Sequence, residues 1–185
     1  MTFDDLQDSM KRKQIPEAPG LYWVLLPPSM DVVIADRTCA VEKFYKKGKE
    51  TVNQRDKAFL EEIWQELEQY GSGKDRVLYI GKAINLRNRL NQYKRVMFNN
   101  GTNHSGGVYI CQIKDCQLLQ IEWIEHHSDA VTAFMSLPQK DRKIIHPSHS
   151  IGKIVDSELK AEEHRMIAEY CASHGGLLPF ANREG

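Results

Sequence analysis

No stretch of this sequence is apolar for the roughly 20 residues that a bilayer crossing needs, which excludes a helical membrane span. A secretory leader is missing too: positions 1–10 are acidic and polar where a leader has a basic flank and an apolar run. Export is therefore not expected, and the cytoplasm is the expected compartment. Cysteine is scarce and scattered. Cys39, Cys111, Cys116 and Cys171 form no C-x-x-C pair and no Cys/His spacing that closes a zinc site, so reduced and mostly buried thiols are expected. Net charge is absent as well, because 25 basic and 25 acidic residues cancel, leaving no global field to attract a polyanion. Internal repeats and low-complexity tracts are also missing. With 185 residues, the chain is read as one domain over 1–185.

The most informative absence is local. Positions 76–114 contain no Asp or Glu but seven basic residues: Arg76, Lys82, Arg87, Arg89, Lys94, Arg95 and Lys114. Acids crowd the preceding segment, at Asp56, Glu61, Glu62, Glu66 and Glu68. A neutral protein can in this way carry a local positive surface, although a solvated helix face with chance clustering is the blander reading.

The coarse order of elements follows from periodicity and breakers. A short helix is expected over 3–14, a strand over 21–26 between Pro19-Gly20 and Pro27-Pro28, and a short strand at 32–35. Phe59, Leu60, Ile63, Trp64, Leu67 and Tyr70 recur at helical spacing and predict a helix over 54–70, stopped by Gly71-Ser72-Gly73. A second strand over 77–80 meets Gly81, and Leu86, Leu90, Tyr93 and Met97 then form one helical stripe. Beyond a loop at 99–107, positions 108–114 and 118–125 read as paired strands. A helix at 128–137, a long loop over 138–156, and a helix from Ser157 to about His174 complete the pattern. The expected fold is α+β: a small, mostly antiparallel central sheet flanked by helices.

Two sets of residues fit poorly with a bland domain. At about 100° per residue, Glu163 falls on the stripe of Leu159, Met166, Ile167 and Tyr170, whereas Glu162 and Glu169 lie to the side. A carboxylate on a core-facing stripe is costly unless it is paired or bound to a cation, so a buried ion pair and a metal-ligand or acid/base role both stay open. Arg89 flanks the Leu86-Leu90-Tyr93 stripe, and Lys82 lies seven residues earlier, near the same line. A guanidinium at the edge of a core and an ammonium near a helix N-terminus suit a phosphate, with plain solvent exposure as the alternative for each.

Gly20-Leu21-Tyr22 on the first strand, Tyr79-Ile80-Gly81 on the second, and the continuation YIGKAINLRNRL together resemble the GIY-YIG nuclease superfamily. AEEHRMIAEY supplies a Glu on a later helix, Glu163, and LPFAN supplies an Asn after it, Asn182. The resemblance covers about residues 15–26, 76–114 and 157–183. It departs from the family pattern in the gap between Tyr22 and Tyr79, which are 57 positions apart, so 27–75 reads as an insertion carrying the 54–70 helix. Tyr93 stands where some restriction-type members have a His, as in repair-type members, whereas His104-Ser105-Gly106-Gly107 and LPFAN look like the stand-alone bacterial and restriction-like branch.

The resemblance implies a metal-dependent endonuclease acting on DNA, double-stranded DNA being favoured. Glu163 would be the one protein carboxylate on Mg²⁺ or Mn²⁺, and Arg89 would offset charge on the scissile phosphate. Lys82 would position that phosphate or lower a tyrosine pKa, and Tyr22 or Tyr79 would act as general base, Tyr22 being slightly favoured with Tyr79 as its orienter. Asn182 would orient the water or a catalytic side chain by hydrogen bonds. Lys82, Arg87, Arg89, Lys94, Arg95 and His104 are the expected nucleic-acid contacts. One centre cutting two strands implies a homodimer or sequential nicking. The rival from another class is a catalytically silent nucleic-acid-binding or partner-binding module that keeps the fold.

Overall fold

The computed structural model describes residues 1–35, 54–70, 76–99, 105–142 and 150–182. The N-terminal segment is a 3-10 turn, Asp4–Gln7, followed by helix α1, Ser9–Lys13, whose first turn is capped by the Asp8 carboxylate accepting from the Met10 N–H at 2.7 Å. The expected helix over 3–14 is therefore split at Asp8. Phe3, Leu6 and Ile15 are fully buried and fasten this segment to the main core.

The sheet consists of β1, Gly20–Leu25, β2, Val77–Ala83, and β3, Gln120–Glu125, in the order β2-β1-β3 with both pairings antiparallel. β1 is the buried central strand, as its aromatic and β-branched residues require. The register sets Tyr22 opposite Gly81 and Val24 opposite Tyr79, so the two tyrosine motifs are neighbours across one ladder. The gap in sequence between them is bridged in space by strand pairing. Within that gap, helix α2, Gln54–Tyr70, has the expected bounds and buries Leu60, Ile63, Trp64 and Leu67 in the main core. The 32–35 strand is reduced to a single bridge from Ile34 to Ile113.

Helix α3, Leu86–Asn99, follows β2 and buries Leu86, Leu90, Tyr93, Val96 and Met97. The strand expected over 108–114 is not formed. Helix α4, Ser105–Ile110, occupies its start, and the chain then turns through Asp115 at φ 55° into a 3-10 turn, Cys116–Leu118, before β3. The physical reason is burial on all sides: Ile110, Cys111, Gln112 and Ile113 are consecutively buried, and so short an apolar run has no period to distinguish strand from helix. Gln112 is accommodated because its Oε1 accepts from Trp64 Nε1 at 3.2 Å.

Helix α5, Asp129–Met135, is capped by Ser128 and followed by α6, Gln139–Arg142. The last helix, α7, Ser150–Ser173, begins well before the expected Ser157. Gly152 suggested a loop, but Ile151, Val155 and Leu159 extend the apolar stripe and pack against Val131 and Phe134 of α5. That burial outweighs the roughly 1 kcal/mol helix penalty of a glycine. α7 also packs against β2 and β1, which brings Glu163 to the tyrosine strands. The α+β class, with a small antiparallel sheet flanked by helices, is as expected. Among the described residues, no helix is long and apolar enough to cross a membrane.

Candidate active site

Three tyrosines form the floor of the site. The rings of Tyr22, Tyr79 and Tyr93 lie 5.8, 5.8 and 5.9 Å apart pairwise, one each from β1, β2 and α3. Tyr93 also stacks on Phe3 at 5.5 Å and thereby locks the cluster to the N-terminal segment. The glycines of both motifs have steric roles. A side chain at Gly81 would place its Cβ 2.7 Å from the Tyr22 hydroxyl oxygen, and one at Gly20 would meet Leu86 Cδ1 at 2.7 Å. Gly81 is therefore what lets the Tyr22 phenol lie across β2.

Burial first, then the Tyr79 phenol, lifts the Tyr22 pKa well above its ordinary value, while Arg89 pulls against the shift. Tyr79 is also raised, by burial first and the Glu163 charge second, with its hydrogen bond from Tyr22 and the Arg89 guanidinium acting in the opposite sense. The hydrogen bond the two phenols share raises Tyr22 and lowers Tyr79. Tyr22 is only 1% exposed, whereas Tyr79 is partly open. Tyr22 is sealed because the GLY strand is the sheet's centre, and Tyr79 is the more open of the two because the YIG strand lies outside it.

Glu163 projects from α7 towards this group. Its carboxyl pKa is raised, by burial above all, although the Lys82 ammonium, the Lys82 backbone N–H, His164 and Arg89 pull it down. It forms no ion pair with any described residue. Among the described residues, the buried ion pair left open by the sequence is not formed. By contrast, Glu162, which faces the side of the helix, pairs with Arg165 at 2.5 Å.

Lys82 has a partner the sequence did not reveal: its ammonium pairs with Asp156 of α7. Asp156 lies in the part of α7 that was expected to be loop, which is why it was missed. Arg89 donates to Gln92 Oε1 at 3.2 Å and exerts its field on all three tyrosines and on Glu163. The expected anion-binding helix N-terminus is spent internally: at the start of α3 the Leu86 and Arg87 N–H groups bond to Ala18 and Pro16 carbonyls, and the Asn88 N–H bonds to Asn85 Oδ1.

Asn182 is buried, and its amide is used on the strand itself. Its Oδ1 accepts from the Ile80 N–H at 2.8 Å and its Nδ2 donates to the Ile80 carbonyl at 2.7 Å. With the Ala181 N–H bonded to the Leu78 carbonyl, the tail covers the open edge of β2. Asn182 is therefore a positioning residue beside Tyr79 and Gly81.

The basic segment is divided in the same way. Arg87 donates to the Ile15 and Lys13 carbonyls at 2.7 and 3.0 Å and pairs with Glu17 at 2.6 Å, so its charge fixes the N-terminal segment instead of facing solvent. Arg76 is tied to the Pro27 and Met30 carbonyls. Arg95 is exposed and Lys94 partly so. His104 lies outside the described residues.

Among the described residues no cluster of three or more His, Cys, Asp or Glu side chains could close a metal site. Glu163 is a single half-buried carboxylate, with no ion pair to a described residue, of the kind that could hold a hard cation keeping most of its water. Comparisons with protein-family models, curated proteins and solved structures find no match to this chain.

Proposed function

We propose that this protein is a metal-dependent endonuclease of the GIY-YIG type, hydrolysing phosphodiester bonds in DNA, with duplex DNA favoured. The observation that carries the reading is the convergence of a half-buried carboxylate, Glu163, which forms no ion pair among the described residues, on two motif tyrosines and Arg89. Glu163 would hold Mg²⁺ or Mn²⁺. Bound there, the cation would supply Lewis acidity to a phosphate oxygen and cancel the carboxylate charge that raises Tyr79.

The remaining chemistry belongs to the chain's own side chains. Arg89 sets a fixed guanidinium against the charge that builds on the phosphate. Tyr79 must first give up its own proton to solvent; as a phenolate beside Tyr22, its Oη then takes the proton of the attacking water and returns to the neutral phenol. Lys82, held by Asp156, remains a positioned cation beside Glu163. Asn182 keeps the edge of β2, and so Tyr79, in place. The scattered cysteines, with no C-x-x-C pair, accord with a cytoplasmic setting. Cutting both strands from one centre calls for a second copy or two successive nicks.

The test is cleavage of supercoiled, linear and single-stranded DNA with Mg²⁺, Mn²⁺ or EDTA, beside Arg89→Ala and Glu163→Gln variants. Metal-dependent cutting by the parent is expected, with a loss of about 100-fold or more in each variant. A parent that binds DNA but cuts nothing with either metal marks the silent-module alternative. Variants that cut like the parent overturn the mechanism.

A further inference from the structure

Beside the tyrosine-glutamate centre lies an open cleft of about 330 Å³, shared by residues of β2, α3, α5, α6 and α7. That is within the size range of small-ligand sites, about 300–1,000 Å³, and is enough for one nucleotide. Lys82 and Arg89 line it from the side of the centre, and Arg142 of α6 from beyond it. Its charges do not cancel. The two acids in the lining are already committed, Asp156 to Lys82 and Glu17 to Arg87. Arg89 and Arg142 carry the uncompensated charge. Among the described residues, Arg89 donates a hydrogen bond to the Gln92 amide oxygen, while Arg142 donates from Nε to the Leu137 carbonyl at 2.9 Å and touches Met135 Sδ from Nη1 at 3.5 Å. Neither contact neutralises a guanidinium, and neither residue forms an ion pair with a described carboxylate.

Two unneutralised guanidiniums from separate elements, facing one polar cleft, suit a ligand with anionic groups at more than one point. A nucleic-acid strand is such a ligand: the scissile phosphate at Arg89 is joined through a sugar to the next phosphate. We propose that this cleft seats the nucleotide adjoining the scissile phosphate and that Arg142 binds that nucleotide's phosphodiester. The proposal rests on the nuclease reading. It identifies a DNA contact outside the basic segment, on a helix that the sequence did not mark for binding.

The experiment measures the affinity of the full-length Glu163→Gln protein for a short DNA duplex across a salt series of about 50 to 200 mM. The same background carries Arg142→Gln, which can still donate to the Leu137 carbonyl but has no charge, Arg142→Lys, and Arg89→Ala. Losing one phosphate contact removes about 0.9 from the slope of log K against log salt. Arg142→Gln should show that change and bind roughly 3- to 10-fold more weakly near 0.1 M salt, and Arg142→Lys should recover most of the slope. Independently of any variant, DNA should protect Arg142 of the parent chain from phenylglyoxal. An unchanged slope in Arg142→Gln, or an Arg142 modified equally with and without DNA, overturns the proposal. If Arg89→Ala still weakens binding in that case, the nuclease reading stands. If the parent binds no DNA at any salt, both fall together.

Discussion

Glu163 occupies a helix position where the core would accept an apolar side chain, and that conflict is measurable without any nuclease assay. Its carboxyl pKa is raised in the folded protein, so the folded state favours the protonated form. The sign follows. This contribution is fully present below the ordinary carboxylate pKa of about 4.3 and is lost as pH rises through the raised value, so at neutral pH the ionised side chain costs stability. Glu163→Gln should therefore melt higher than the parent at neutral pH, and the difference should vanish in acid. A gain of about 1 kcal/mol would appear as roughly 2–4 °C in a chain of this size. Mg²⁺ or Mn²⁺ should raise the parent's midpoint and leave the variant's unmoved. A variant that melts lower at neutral pH, or one that responds to metal like the parent, would remove Glu163 as both the strained group and the ligand. The residue's position was legible because a helix's periodicity shows which side chains share a face. Its lack of an ion pair with any described residue was not, because that depends on Lys82 being taken by Asp156 from the preceding part of the same helix.

The strand β2 shows at the level of an element how a site is held. It is an edge strand, and its outer hydrogen-bonding groups at Ile80 are satisfied by one side chain, Asn182, from the far end of the chain. Asn182→Ala leaves both Ile80 groups without that partner in a buried setting, at a cost of roughly 2–4 kcal/mol. Amide hydrogen exchange at Ile80 should accelerate while that of Val24 on the central strand changes less, and cleavage should fall through misplacement of Tyr79. Unchanged exchange at Ile80 would show that the clamp does not stabilise the edge. Elements differed in how well they could be read. α2 has the bounds its sequence indicates because an apolar stripe at helical spacing runs up to a Gly-Ser-Gly stop. α4 was misread as a strand and the start of α7 as loop, since in both places tertiary burial overrode local pattern.

Across the whole molecule, the tyrosine cluster joins β1, β2 and α3 and makes the fold sensitive to alkali. All three phenols have raised pKa values, so they stabilise the folded state fully below the ordinary tyrosine value of about 10, and the contribution is lost as pH rises through the folded values. Thermal stability should fall steeply above about pH 10. Tyr22→Phe, which has no phenol to ionise, should flatten that fall at a modest cost near neutral pH. A parent whose midpoint is level across this range would mean the cluster does not stay buried and neutral. The acid-free segment at 76–114 is likewise resolved only at this scale, because Glu17 and Asp156 reach Arg87 and Lys82 from distant parts of the chain.

The sequence by itself determined the α+β class, the helix in the long gap between the tyrosines, the stripe that carries Glu163, and the residues most worth testing. These follow from periodicity, turn chemistry and residue type, which act over a few neighbours. Only the tertiary structure decided which tyrosine is sealed and which is open, which cations are already neutralised, and that Asn182 holds the edge of β2. Those properties are set by burial and by pairing between side chains up to a hundred residues apart, distances over which a linear pattern carries no information.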